Sequence, residues 1–436
     1  MANQSILRIS REIKQLQSNI DLSLAIACDD EDLRNVRALI MGPPDTPYQF
    51  GFFEFSIIFG TDYPAGPPVV RALTTNHGQC RFNPNIYSCG KVCLSILGTW
   101  RGDRGEEWSS AQGLESILIS IQSLMSSNPY ENEPGYELAE SDGDKKDMKA
   151  YAAKIRHESI RISVIEPLEC ILGIKANSTI NPTDEEEGKD VDKGADITDA
   201  FADLRKRRFL WYFDCYMQSI AQGECEVTRK RRFTRMPFEN PGNSMDGHFD
   251  YPNLRNRLNQ VKDAIIAETM GWTIRGKAAQ EQEAGISENL RRQYEQIVEK
   301  YKNHKNFTVD LHIVDGNPFL WQLTYFGRPM THLDGGIFNI KIYLSPDFPE
   351  DQPRVFVGSP LFHYRVAKCG ILCYFPARTD DMRCHVDAIV AALEEESPYD
   401  PRTNVHPEAT RMFWGSPDDR KRYNRELRRS VERSAE

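Results

Sequence analysis

Residues 42–68 read GPPDTPYQFGFFEFSIIFGTDYPAGPP, and residues 327–353 repeat the same pattern as GRPMTHLDGGIFNIKIYLSPDFPEDQP. Each stretch has a turn rich in glycine and proline, an alternating apolar run and a second proline-rich turn. Four pairs of identical residues lie 285 positions apart (327 − 42): Gly42/Gly327, Gly51/Gly336, Pro64/Pro349 and Pro68/Pro353. A register kept without gaps over this span predicts two related units in one chain.

Both units have the same predicted order of elements. A helix comes first, since apolar residues recur at helical spacing in each unit: Ile6, Ile9, Ile13 and Leu16, then Leu290, Tyr294, Ile297 and Tyr301. Strands with one apolar face follow, as in Phe53, Phe55, Ile57 and Phe59. An irregular segment with a cysteine precedes a last helix. We therefore expect an α+β fold, with an antiparallel meander sheet and helices on one side of it.

The two cysteine segments also correspond. GKVCLSI begins at Gly90 and GILCYF at Gly370, an offset of 280 (370 − 90), so the second unit has a loop five residues shorter. In this register Cys373 matches Cys93.

The chain between the units changes in composition. Residues 181–199, NPTDEEEGKDVDKGADITD, are acidic and nearly free of large apolar groups, which predicts a solvated linker. The following AFADLRKRRFLWYFDCYMQSI is a helix with too many aromatic residues to stand free in water. Leu254, Leu258, Val261 and Ile265 indicate another helix. We expect a helical connector that packs between or against the units, with its basic RKRR run at 205–208 on a solvated edge.

Composition narrows the class of protein. The chain has 436 residues, 40% hydrophobic and 27% charged, which suits two or three globular domains. It has no apolar run of the ~20 residues that a membrane span needs, and its start, MANQSILRISREIKQLQ, lacks the apolar core of a signal peptide. We therefore expect a cytoplasmic or nuclear protein; RKRR at 229–232 is a candidate import signal.

The net charge of −10 argues against general nucleic-acid binding and favours protein partners.

Ten cysteines in such a compartment are expected to be reduced. The pairs Cys89/Cys93 and Cys369/Cys373, near Cys384 and His385, invite a zinc interpretation. No second pair lies at the spacing of a zinc finger, and the pairs repeat because the unit repeats. We expect neither a metal nor a cofactor.

The segment FNPNIYSCGKVCLSILGTW, residues 82–100, resembles the active-site stretch of ubiquitin-conjugating (UBC) enzymes. That family's signature is His-Pro-Asn, with the nucleophilic cysteine eight residues after the asparagine, and Cys93 lies eight residues after Asn85. Asn83 in place of histidine, with ILGTW and NPYENEP, resembles the larger Z-type and BIR-containing members, in which Asn-Pro-Asn is normal. The resemblance covers roughly residues 5–172 and again 284–436.

This resemblance implies two UBC folds joined by a helical connector. Residues 1–172 would form the catalytic domain, 173–283 the acidic linker and connector, and 284–436 a second, inactive UBC-like domain. The implied partners are ubiquitin or a ubiquitin-like modifier, its activating enzyme and a protein substrate, with a ligase as a further candidate.

Cys93 is the predicted nucleophile. A thioester is an activated acyl carrier, and the thiolate that forms it is a few per cent populated at neutral pH for a thiol of pKa ~8.5. A random cysteine of this kind is usually a small core residue. The eight-residue spacing and the flanking motifs favour the catalytic interpretation here.

The remaining site residues are implied by the resemblance. Asn85 would hold the loop and donate a hydrogen bond to the oxyanion as lysine attacks, whereas alone it would be a turn residue. Asn83 would brace that loop through its amide. Ser95 stands where many members have aspartate. Glu133 aligns with an acidic gate residue, the alternative being a helix-end carboxylate in water.

Residues 98–107 form an insertion before Trp108 that predicts a flexible loop able to screen the thioester or select acceptors. Trp108 itself is expected to be a packing anchor.

In the second unit, His363, Tyr364 and Arg365 replace the Asn-Pro-Asn run, so the fold is kept and the oxyanion donor is lost. A non-catalytic unit is favoured over a second active site at Cys373. Two further functions stay open: a non-catalytic UBC-fold scaffold that binds ubiquitin or ligases, and a thiol hydrolase, for which His77 is the near candidate base.

Overall fold

The computed structural model describes residues 2–18, 23–29, 31–102, 105–138, 140–174, 199–227, 230–240, 244–282, 285–303 and 308–436. The predicted acidic linker therefore lies outside the described residues, except for Asp199.

Helices begin and end as follows: α1 Ala2–Ser18, α2 Leu114–Ser123, α3 Asp142–Glu158, α4 Glu166–Ile171, α5 Ala202–Glu226, α6 Tyr251–Gln282, α7 Gly285–Asn303, α8 Met382–Glu394, α9 Pro407–Trp414 and α10 Pro417–Ser434. A π-helical stretch, Ser159–Ile165, joins α3 to α4. The strands are β1 Leu24–Asp29, β2 Asp32–Met41, β3 Phe52–Ile58, β4 Val69–Ala72, β5 Val309–Ile313, β6 Leu320–Phe326, β7 Ile337–Tyr343 and β8 Arg354–Val357. Within the described ranges, no helix is long and apolar enough to cross a bilayer.

The strands form two antiparallel meanders, ordered β1-β2-β3-β4 and β5-β6-β7-β8. The α+β class and the antiparallel sheets predicted from sequence are thus confirmed. The two sheets also share backbone details at matched positions. Gly90 and Gly370 both have φ of 87°, and a Cβ on either would lie 2.6 Å from a backbone oxygen of the neighbouring strand, so only glycine fits there.

The first core lies between one face of the first sheet and helices α1 and α2. Phe53, Phe55 and Ile57 alternate into it because successive strand residues point to opposite faces. Ile13 of α1 is buried, and Ile6 is 40% exposed. The predicted helix is present, and its buried face runs through Ser5, Ile9 and Ile13.

The connector, which was expected to pack between or against the units, covers the opposite face of the same sheet. Leu39, Met41 and Phe52 are buried in a core shared with the aromatic residues of α5. The second unit contributes Ile371 and Cys373 to that core. The expectation of helices on one side only was wrong for the first sheet, because α5 lies between the two units and packs on both.

Polar contacts fix α5 to both units. The Tyr212 ring stacks on Phe50 with centroids 3.8 Å apart, and its hydroxyl donates to the Arg402 carbonyl at 2.6 Å. Tyr216 donates to the Phe50 carbonyl at 2.8 Å. These contacts stabilise Phe50 in a left-handed conformation, φ 56°, that costs a non-glycine residue ~1–2 kcal/mol. The matched residue of the second unit is Gly335, which adopts φ 80°.

The basic run at 205–208 is not a solvated helix edge, as the sequence analysis expected. Arg205 and Arg208 are buried. Arg205 pairs with Glu54 of β3 at 2.7 Å, and the neighbouring Asp203 pairs with Arg354 of β8 at 2.7 Å. The start of α5 therefore forms ion pairs with both sheets.

Candidate active site

Asn83 organises the loop that precedes Cys93. Its buried side-chain oxygen accepts a hydrogen bond from the Asn85 backbone N–H at 2.9 Å. Its amide nitrogen donates to the Tyr48 hydroxyl at 3.1 Å and to the Leu124 carbonyl at 2.8 Å. Since Tyr48 precedes the first sheet's third strand and Leu124 follows α2, Asn83 ties this loop to two separate parts of the core.

Asn85 and Cys93 are linked through both backbone and side chain. The Cys93 N–H donates to the Asn85 carbonyl at 2.8 Å, and the Asn85 side-chain amide donates to the Cys93 carbonyl at 3.0 Å. An amide nitrogen carries two hydrogens, so this contact uses one of the two donors of Asn85.

Cys93 lies three residues after the turn that ends at Gly90 and is 4% exposed. Burial raises the pKa of its thiol above the ordinary value, while the charge of Lys91 and a hydrogen bond with the Tyr87 hydroxyl act in the opposite direction. Tyr87 was not singled out from the sequence, although it stands midway between Asn83 and Lys91 in the same motif.

Glu133 pairs with Arg81, its Oε2 lying 2.9 Å from Nη2 of the buried guanidinium. Arg81 also donates to the Pro84 carbonyl at 2.6 Å and lies 4.7 Å from the centre of the Tyr87 ring. Glu133 is therefore not the free helix-end carboxylate of the alternative interpretation. Arg81, which sequence reasoning missed, links this carboxylate to the ring that contacts the Cys93 thiol.

Ser95 begins a short 3₁₀ turn, Ser95–Leu97, two residues after the cysteine, and is half-buried. Trp108 packs on Tyr63, with ring centroids 5.8 Å apart, and its indole N–H donates to the Pro64 carbonyl at 2.9 Å. It is the packing anchor that the sequence analysis expected.

The matched site of the second unit keeps the backbone and changes the chemistry. The Cys373 N–H donates to the Arg365 carbonyl at 2.9 Å, and the His363 Nδ1 accepts from the Arg365 N–H at 3.2 Å, as Asn83 accepts from Asn85. The Arg365 side chain instead forms two hydrogen bonds with the Glu395 carboxylate, at 2.5 and 2.7 Å.

Cys373 is completely buried. It lies in the apolar core that contains Tyr212 and Cys215 of α5, so the connector helix covers the thiol. Burial raises the pKa of Cys373 to about 11, and the nearby Arg365 charge only partly opposes this shift. A thiol in this environment is protonated and unreachable at neutral pH.

No group of three or more His, Cys, Asp or Glu side chains within the described ranges is arranged to hold a metal ion. His77, the candidate base of the hydrolase alternative, is exposed.

Comparison with known proteins agrees with this arrangement. A family model described as ubiquitin-conjugating enzyme matches residues 8–159. The chain is 40% identical over 266 residues to ubiquitin-conjugating enzyme E2 Z of Xenopus tropicalis, a match that covers 61% of this chain and 73% of that protein. The chain belongs to the ubiquitin-conjugating enzyme family. Membership implies ubiquitin, an activating enzyme and ligases as the general class of partners.

Two further relatives indicate which members of the ubiquitin-conjugating family this chain resembles. Ubiquitin-conjugating enzyme E2 Z of Homo sapiens is 38% identical over 267 residues, which cover 61% of this chain and 65% of that protein. The dual E2 ubiquitin-conjugating enzyme/E3 ubiquitin-protein ligase BIRC6 of Homo sapiens is 39% identical over 168 residues, which cover 37% of this chain and 4% of BIRC6. The Z-type and BIR-containing resemblance of the Asn-Pro-Asn segment is thereby confirmed.

Proposed function

We propose that the chain accepts ubiquitin, or a ubiquitin-like modifier, from an activating enzyme as a thioester on Cys93 and transfers it to a lysine amine of a protein substrate. The observation that carries this proposal is the double link between Asn85 and Cys93, by backbone and by side chain. It holds the Asn85 amide against the Cys93 backbone before any substrate arrives, and preorganised donors of this kind stabilise an oxyanion.

Two acyl transfers make up the proposed reaction. The Cys93 thiolate attacks the thioester carbonyl carried by the activating enzyme, and the cysteine of that enzyme leaves as a thiolate. A lysine amine then attacks the new thioester, giving a tetrahedral oxyanion that accepts the second N–H of Asn85. Collapse breaks the C–S bond and releases the Cys93 thiolate, and the proton that the amine loses passes to this thiolate through solvent. Glu133, oriented by Arg81, is suited to attract the incoming ammonium; Ser95 borders the approach.

We also propose three functional regions: a catalytic UBC domain at 1–172, a linker and helical connector at 173–283, and a second UBC fold without catalysis at 284–436. The cover of α5 over Cys373 and the Arg365–Glu395 pair support the last assignment. They disfavour the alternative in which Cys373 is a second acceptor. The arrangement of Asn85 and Tyr87 around Cys93 favours an enzyme over the scaffold alternative.

The proposed compartment is the cytoplasm or the nucleus. Of the second basic run, Lys230, Arg231 and Arg232 are exposed and therefore accessible to an import receptor.

A charging assay tests the proposed function. The full chain, activating enzyme, ATP and ubiquitin are incubated and separated on a gel with and without thiol. We expect a thiol-sensitive adduct that is absent from Cys93→Ala, and a thiol-resistant oxyester on Cys93→Ser. Full charging of Cys93→Ala would refute the assignment.

A further inference from the structure

The insertion that follows Cys93 is anchored to the backbone on both sides of the thiol. The Thr99 hydroxyl donates to the Val92 carbonyl at 2.6 Å and accepts from the Leu94 N–H at 3.0 Å. Val92 and Leu94 are the two neighbours of Cys93 in the chain. Thr99, and the residue after it, are therefore held within a short distance of the cysteine.

That next residue is Trp100, which is 49% exposed. An indole exposed to solvent lacks much of the free energy that tryptophan usually gains from the burial of its apolar surface. The loop approaches the turn after Cys93 closely at one point, since a Cβ on Gly102 would lie 2.5 Å from the Ser95 Cβ. The loop that carries Trp100 is thus tied through Thr99 to both neighbours of Cys93, and about half of the Trp100 side chain is exposed.

The second unit shows that the fold does not need this segment. From Cys93 to the first residue of α2 the chain advances 21 positions (114 − 93), whereas from Cys373 to the first residue of α8 it advances nine (382 − 373). The unit with the covered cysteine lacks the loop, and the unit with the candidate nucleophile has it. A role at Cys93, rather than in folding, explains this difference.

We propose that Trp100 contacts the acceptor polypeptide and favours lysines that have an apolar side chain beside them. This inference rests on the proposed function of Cys93. The exposed indole offers an apolar surface on a loop that is anchored to both neighbours of Cys93. Packing of one aliphatic or aromatic residue on such a ring is worth about a three- to tenfold change in rate. Free lysine has no flanking residue and gains nothing from it.

Single-turnover discharge tests the inference. The full chain is charged with ubiquitin, the activating step is stopped, and the thioester is chased with free lysine, with a peptide whose lysine lies between leucines, and with one whose lysine lies between glycines. We expect Trp100→Ala to slow discharge to the leucine peptide three- to tenfold, with free lysine and the glycine peptide unchanged. Trp100→Phe should restore most of the preference.

Trp414→Ala is the matched control, since Trp414 is a 60% exposed tryptophan at the end of α9 in the second unit. It should alter none of the three rates. Equal slowing of all three nucleophiles by Trp100→Ala, or no slowing of the leucine peptide, would overturn the inference. Absence of a thioester on the wild-type chain would instead overturn the proposed function, and the inference with it.

Discussion

Replacement of Asn85 by alanine separates the structural work of this side chain from its proposed work in catalysis. The substitution removes the 3.0 Å hydrogen bond from the Asn85 amide to the Cys93 carbonyl and leaves the backbone link between the two residues in place. It also removes the second amide N–H, which would meet the oxyanion during transfer to lysine.

The two losses differ in size. One half-buried hydrogen bond contributes ~1 kcal/mol to the free energy of unfolding. One preorganised oxyanion donor contributes ~3 kcal/mol to the transition state, which corresponds to a rate factor of about 100. We therefore expect Asn85→Ala to remain folded and to be charged, and to discharge to lysine about 100-fold more slowly.

The assay is a pulse-chase on pre-charged protein, in which charging and discharge are measured separately. Arg365→Ala is the internal control because Arg365 occupies the matched position of the second unit, and it should leave discharge unchanged. Equal discharge from Asn85→Ala and the wild type would limit Asn85 to a structural role. A loss of charging in proportion to discharge would mean that the loop itself had collapsed.

Three further predictions concern buried groups. Lys154→Met should lower the free energy of unfolding, measured by urea denaturation, by about 3–5 kcal/mol, because its buried partner Glu239 is left without its ion pair. A change under 1 kcal/mol would contradict this. Burial lowers the pKa of His363 from its ordinary 6.5 to about 3. Between these two pH values the unfolded chain binds more protons than the folded chain, so the free energy of unfolding should fall as the pH drops through this window. His363→Asn should flatten that dependence, and an unchanged slope between pH 7 and pH 5 would refute the cause. Alkylation at pH 7, read residue by residue, should leave Cys373 unmodified until the protein is unfolded. The alkylation rate of Cys93 should increase with pH because more of its thiol becomes thiolate. Rapid labelling of native Cys373 would show that α5 does not cover it.

Local and repeated features were predictable from the sequence, and contacts distant in the chain were not. The Gly90 and Gly370 segments keep a register that predicts two matched sheets and two matched cysteines. Arg81 and Glu133 are 52 residues apart, and nothing in either segment indicates that they pair. Their interaction depends on how the turn after α2 packs on the cysteine loop.

The position of the connector helix α5 could likewise not be predicted from the sequence. Its aromatic content predicts that α5 is buried, but an apolar helix face does not specify which surfaces will cover it. The RKRR run at 205–208 would lie on a solvated edge only if one face of α5 were exposed to solvent. Because α5 lies between two sheets, Arg205 finds Glu54 on one of them, and Asp203 finds Arg354 on the other.

The most direct test of the central claim is the intact mass of the full-length chain after charging, combined with mapping of the modified residue. One modifier per chain is expected, attached at Cys93, lost in Cys93→Ala and retained in Cys373→Ala. Two modifiers per chain, or a thioester that persists in Cys93→Ala and disappears in Cys373→Ala, would contradict the assignment of one catalytic and one covered cysteine.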